Sequence, residues 1–202
     1  MKKVREINFL ALSIVISSFF FIPVFLRANV GSDWDSYALI GTYVNFIDSG
    51  IYIPSRPPGF PVFEILIGLM SYISNYLGLN NFEQGLLIVQ FLTLVSLNVL
   101  IYNFFNKTGN KKSLFFFLIV LSPIYLISGL SIIDYLLGSL FGFSALYLAL
   151  YKNDLNYHQF LISVLLSLAI GVRLSNVIFL FVILILFLIK KENLSKIFII
   201  AL

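Results

Sequence analysis

The sequence predicts an all-α, polytopic membrane protein: a multi-span helix bundle whose large first external loop contains membrane-surface helices. Three observations predict it. Hydrophobic residues make up 60% of the chain against 11% charged, with a mean hydropathy of +1.01, whereas soluble domains are nearer one-half apolar. Apolar runs close to spanning length recur along the chain, separated by short polar links. The cations are spaced as a bilayer, and not a soluble core, would arrange them.

Composition also excludes several kinds of chemistry. The chain has no cysteine, so it has no disulfide framework, thiol nucleophile or thiolate metal site, and its one histidine, His158, cannot form a His-rich metal centre. The 22 Phe and 11 Tyr suit lipid-facing helices and their interfacial ends. A net charge of +4 does not imply nucleic acid, because in a membrane protein the position of positive charge outweighs its sum.

Lys2, Lys3 and Arg5 precede an apolar run over 7–26, long enough to span and without a convincing small-x-small cleavage site. It is read as a retained first span with a cytoplasmic N-terminus. The chain emerges at Arg27. Between Trp34 and Ile51 the apolar residues Tyr37, Ile40, Val44, Ile47 and Ile51 recur at three- and four-residue spacing, which predicts an amphipathic surface helix ending near Gly50. Ile53 to Pro61 holds four prolines and a glycine and cannot be regular helix.

The segment 59–78 is long enough to cross yet carries Glu64, Ser71, Ser74 and Asn75, and the cations decide its placement. If it stays on the outer face, the spans are 7–26, 85–105, 113–130, 132–151, 159–172 and 174–189, with an external loop over 27–84. Ten of the 13 Lys and Arg are then inside, including Lys107, Lys111, Lys112, Lys152, Lys190, Lys191 and Lys196, and only Arg27, Arg56 and Arg173 are outside. If it crosses, only four of 13 remain inside, against the positive-inside tendency. The first reading makes residues 1–202 one transmembrane domain of the plasma (inner) membrane, with its functional loop external. The apolar run 197–202 stops short of a span, so the chain is expected to continue beyond it.

That outer face gathers the residues able to do chemistry. Asp33 and Asp35 precede the amphipathic helix. An acid there either caps the helix N-terminus or acts as a general base toward a nucleophile at the membrane surface. Arg56, in Ser55-Arg56-Pro57-Pro58-Gly59-Phe60-Pro61, is braced by prolines and suits bidentate phosphate binding, unless it merely snorkels to the interface. Arg173 meets the hydrocarbon edge at Gly171-Val172-Arg173, where an arginine marks a functional site by default. Asp134 follows the outward turn in 121–131 and reads as a second active-site acid or an interfacial residue. Glu64 reads as solvated. His158 and the Lys107–Lys112 cluster read as surface and topology features, the lysines in reach of anionic lipid. The sequons Asn106-Lys107-Thr108 and Asn193-Leu194-Ser195 fall inside and read as chance.

In order and location these residues resemble the N-terminal half of the GT-C class of integral-membrane glycosyltransferases, which includes protein O-mannosyltransferases and the aminoarabinose transferases of lipid A. The class has an acid-x-x-x-Tyr motif in its first external loop, matched by Asp33-Trp34-Asp35-Ser36-Tyr37. Its basic residue before a Pro/Gly-aromatic-Pro stretch is matched by Arg56-Pro57-Pro58-Gly59-Phe60-Pro61. Its aspartate after a Ser-Pro turn looks like Asp134 after Ser122-Pro123, and its basic residue at a later outer junction looks like Arg173. The likeness covers nearly the whole chain through short, degenerate motifs. Where many members have Asp-Glu, this chain has Asp33-Trp34. The base is therefore Asp33 or Asp35, and the spacing to Tyr37 favours Asp33.

The resemblance implies transfer of a sugar from a polyprenyl-phosphate carrier to a glycan, lipid or protein acceptor at the outer leaflet, with inversion. Asp33 or Asp35 would be catalytic, and Tyr37, Arg56, Asp134 and Arg173 would bind substrate. The arginines would stabilise charge growing on the leaving phosphate. No phosphate-binding glycine loop and no nucleotide site are visible, and a requirement for a divalent cation stays open. Membrane lipid is a partner and nucleic acid is not. The alternatives are a polysaccharide polymerase, a transporter of lipid-linked sugar and a non-catalytic scaffold. A transporter calls for polar residues along the middle of its spans, and these spans are nearly uninterrupted.

Overall fold

The structure of the chain, a computed structural model, describes residues 2–27, 34–55, 61–78, 82–108, 116, 118–151 and 155–189. Among the described residues there is no strand. The helices are α1 (Lys2–Arg27), α2 (Trp34–Ser49), α3 (Pro61–Tyr76), α4 (Phe82–Thr108), α5 (Pro123–Leu130), α6 (Tyr135–Tyr151), α7 (Leu155–Val172) and α8 (Val177–Ile189), with a 3-10 turn over Leu174–Asn176. Asp33, Arg56, Lys111, Lys112, Lys152, residues 190–202 and the second sequon lie outside the described residues.

The boundaries follow local chemistry. α2 ends where Gly50 takes φ 69°, and α3 is followed by Gly78 at φ 67°, left-handed conformations that terminate helices at low cost with glycine. α5 starts with Pro123 at its first turn while Ser122 Oγ accepts the Tyr125 amide at 3.3 Å, a serine cap followed by a proline that lacks the surplus N–H.

Among the described residues two helices are long and apolar enough to cross a membrane, Leu10–Arg27 in α1 and Glu83–Lys107 in α4, and a third if α5 and α6, bent by 110°, count as one span. The other apolar helices, Pro61–Met70, His158–Val172 and Leu174–Ile189, are shorter. The sequence predicts six spans; breaks cut that number on length. The predicted run 113–130 is interrupted at Leu121-Ser122, and α6 is separated from α5 by the non-helical Ser131–Asp134.

α1 runs antiparallel to α4. Leu10 packs into the cluster of Leu97 and Ile101, while Phe21 stacks on Phe91 with ring centroids 4.4 Å apart. At one end of the bundle a core of Leu39, Ile40, Phe63, Ile67, Leu86, Leu87, Ile132, Leu137 and Val172 joins α2, α3 and the first turns of α4 to the Ser131–Asp134 turn and the end of α7. α3 spends its buried face, Phe63 and Ile67, on this core. A second core joins α6, α7 and α8. Close approach is set by small residues: a Cβ on Gly171 would lie 2.7 Å from Val62 Cγ2, and one on Gly138 would collide with the Asn176 amide.

The buried stripe of α2 differs from the predicted one. Ser36, Leu39, Ile40 and Thr42 are buried, whereas Tyr37, Val44 and Ile51 are exposed. Ser36 faces the core because it finds an acceptor there, Ile132 O, while Thr42 turns its hydroxyl back onto Ala38 O of its own helix.

Candidate functional site

The break between α5 and α6 frees backbone carbonyls that an apolar setting cannot leave unpaired. Two side chains from other helices satisfy them. Ser36 Oγ donates to Ile132 O at 2.8 Å, and Gln90 Nε2 donates to Ile133 O at 2.5 Å. The first bond docks the opening turn of α2 onto the turn that carries Asp134; the second fixes that turn to α4. Neither Ser36 nor Gln90 stands out in the sequence. Ser36 lies inside the acid motif, and Gln90 is one of several uncharged polar residues in an apolar helix.

Asp134 sits just before α6, where the helix dipole favours an anion. Its side chain is fully buried, and its Oδ1 accepts from Arg173 Nη1 at 3.0 Å. Arg173 occupies the extended residue between α7 and the 3-10 turn, φ −157° and ψ 125°. Its amide donates to Ala169 O at 3.1 Å and its carbonyl accepts from Asn176 N at 3.0 Å. Asn176 Nδ2 bonds Ala169 O at 2.9 Å, which ends α7 and fixes the junction. The guanidinium lies 3.8 Å above the centroid of the Tyr135 ring, and its Nε donates to Ser175 Oγ at 3.2 Å.

The arrangement presents a cation, held on one side by a buried carboxylate and an aromatic face and 23% exposed on the other. A guanidinium has five N–H donors. Asp134 and Ser175 use two of them, so the group retains donors for an anion. Full burial puts Asp134 behind the arginine, where its carboxylate holds Arg173 in place.

The acid motif opens beside this pair. Trp34 is 85% exposed, Tyr37 is 49% exposed and Asp35 is half-buried. Asp35 lies within the first helical turn, past the cap position, where its charge still suits the helix N-terminus. Asp33 and Arg56, the other two residues on which the sequence reading rests, are outside the described residues.

Glu64 departs from its expected role. It is buried in the first turn of α3 and accepts from Ser55 N at 3.0 Å, from Ser55 Oγ at 2.5 Å and from the Tyr52 hydroxyl. It ties the proline-rich segment down at the point where Arg56 follows in sequence. Burial pushes the Tyr52 phenol up to about 12, and the hydrogen bond and negative charge of Glu64 add to the effect. The folded chain therefore keeps this proton longer than the unfolded chain, whose phenol titrates near 10. The contribution of the contact is whole below about pH 10 and is lost as pH rises from about 10 to about 12. Subtracting the phenolate absorbance titration of Tyr52→Phe from that of the parent chain should leave one phenol ionising near pH 12. A phenol ionising near pH 10 would mean that Glu64 does not hold the segment.

At the opposite end of the bundle Lys107 closes α4. Its Nζ lies 4.8 Å and 4.5 Å from the ring centroids of Tyr147 and Tyr151 at the end of α6. The Asp134–Arg173 pair and Lys107 thus mark opposite ends. Among the described residues no three His, Asp or Glu side chains gather as a metal site. No protein family, characterised protein or solved structure matches the chain.

Proposed function

We propose that this chain transfers a sugar from a polyprenyl-phosphate-linked donor to an acceptor at the outer face of the plasma membrane, as an inverting glycosyltransferase of GT-C type. The observation that carries the reading is the docking of the acid-bearing start of α2, through Ser36, onto the turn whose Asp134 holds Arg173. Acid–base and anion-binding residues then serve one reaction centre. The acceptor hydroxyl oxygen attacks the anomeric carbon and gives its proton to Asp33, with Asp35 as the alternative base. The bond from the anomeric carbon to the phosphate oxygen breaks, and its electron pair leaves with the lipid phosphate. Arg173 and Arg56 stabilise the charge that grows there, Tyr37 lines the approach, and Asp134 and Tyr135 set the position of Arg173.

The charge pattern supports an outer location for this end. α3 begins beside the end of α7, where Val62 approaches Gly171 two residues before Arg173, in keeping with a surface helix over 59–78, and Lys107 lies at the other end, in keeping with a cytoplasmic N-terminus. The chain has no cysteine, so a single introduced cysteine reports alone. A membrane-impermeant maleimide applied outside is expected to label a cysteine at residue 80 and spare one at residue 110. Labelling of residue 110 from outside would invert the topology and remove the acids from the outer face.

Transport without catalysis is the competing reading. The buried polar residues of α4, Gln90, Thr93 and Asn98, carry no charge, and each bonds a neighbouring element or its own helix. Proteoliposomes containing the full chain and a labelled polyprenyl-phosphate sugar separate the two readings. Release of lipid phosphate with the sugar passed to an acceptor supports transfer. Movement of intact donor across the bilayer with no loss of sugar would overturn it.

A further inference from the structure

We infer that the Lys107 end of the bundle holds an anionic phospholipid, one acyl chain in a groove along α4 and its phosphate at the Lys107 ammonium. A cavity of about 220 Å³ lies between α4, α5 and α6, lined by residues that include Leu97, Ile101, Phe104, Leu136, Phe143 and Tyr147. Its lining is almost wholly apolar. The Tyr125 hydroxyl at its wall is turned to Asn98 Oδ1 at 2.7 Å. A water in such a space finds too few polar partners, whereas hydrocarbon loses nothing there.

The dimensions match one lipid leaflet. From Leu97 to Lys107 α4 rises about 15 Å, half of the roughly 30 Å hydrocarbon core. Lys107 ends the apolar stretch Glu83–Lys107, the level at which headgroups meet water. A cavity of about 220 Å³ is too small to take a helix about 10 Å across. The ammonium at its mouth is exposed and is held over Tyr147, a lining residue, and over Tyr151. Two rings steady the cation from one side and leave ammonium N–H groups for a phosphate. A net negative headgroup complements it; a zwitterionic one brings its own cation to the same place. Its cation lies at the opposite end of the bundle from the Asp134–Arg173 pair, and the site stands whether or not that pair serves sugar transfer.

Native mass spectrometry of the full chain, released from micelles doped with equal phosphatidylglycerol and phosphatidylcholine, tests the site. One phosphatidylglycerol should be retained in about five-fold preference, the effect of about 1 kcal/mol for one basic residue at the surface. Lys107→Gln should bring the ratio to about one, and Lys107→Arg should restore it; both are exposed substitutions outside the packed core. Ser139→Trp, which fills the groove, should reduce retention of both lipids. Equal retention of the two lipids by the parent chain, or an unchanged preference in Lys107→Gln, would overturn the assignment. Undiminished retention in Ser139→Trp would mean that the groove is closed by the chain itself, and would overturn it too.

Discussion

Replacing Arg173 by alanine is expected to destabilise the fold by about 3 kcal/mol, the lower end of the range for breaking a buried ion pair from one side. The fully buried Asp134 carboxylate would lose the guanidinium 3.0 Å away. The lower end applies because Arg173 is partly exposed, so water reaches the gap it leaves. Loss of the contact with the Tyr135 ring adds up to about 1 kcal/mol. At roughly 2–4 °C per kcal/mol for a chain of this size, the midpoint of thermal unfolding in detergent should fall by about 6–16 °C. The double variant Asp134→Leu/Arg173→Met should recover most of that loss, since replacing both partners with apolar groups removes the uncompensated charge. A midpoint unchanged in Arg173→Ala would mean that the pair does not organise this end of the bundle. Stability and chemistry separate here: the double variant regains the fold without regaining a cation for phosphate.

Much of this end of the molecule was visible in the sequence, though not the way its parts join. Asp134 and Arg173 each stand out as charges at the edge of hydrocarbon. They are 39 residues apart, and no local periodicity reports that they meet. Glu64 looked solvated because its partners, Tyr52 and Ser55, lie upstream across a proline-rich break, where helical spacing has no meaning. The helix over Trp34–Ser49 was legible, with its end near Gly50. Its buried face was not, because a stripe defined by large apolar residues overlooks Ser36, which faces the core to satisfy Ile132 O, and Thr42, which satisfies its hydroxyl on its own helix. In the same way, runs of apolar residues over 113–130 and 132–151 promise two spans, but the Ser122-Pro123 start and the Ser131–Asp134 turn shorten and bend them. Periodicity detects apolar faces, whereas the first break is a local serine cap and proline, and the second is held by hydrogen bonds from α2 and α4.

In the proposed reaction Asp134 acts through the arginine it holds, and the base would come from the opening of α2. Asp35, half-buried inside the first turn, and Asp33, one residue before the first described residue of that helix, are the two acids left for the task. A general base contributes typically 10²–10⁴-fold to a rate, and an asparagine keeps the shape while removing the proton acceptor. Asp33→Asn is therefore expected to lower transfer by about 100-fold or more while leaving the thermal midpoint unchanged. Arg173 would still bind the lipid phosphate, so donor affinity should be kept.

The most direct measurement is sugar transfer from a labelled polyprenyl-phosphate donor in membranes carrying the parent chain, Asp33→Asn or Asp35→Asn, at matched amounts of folded protein. Transfer is expected in the parent chain and its loss in Asp33→Asn. Full transfer in both Asp33→Asn and Asp35→Asn would contradict the proposal.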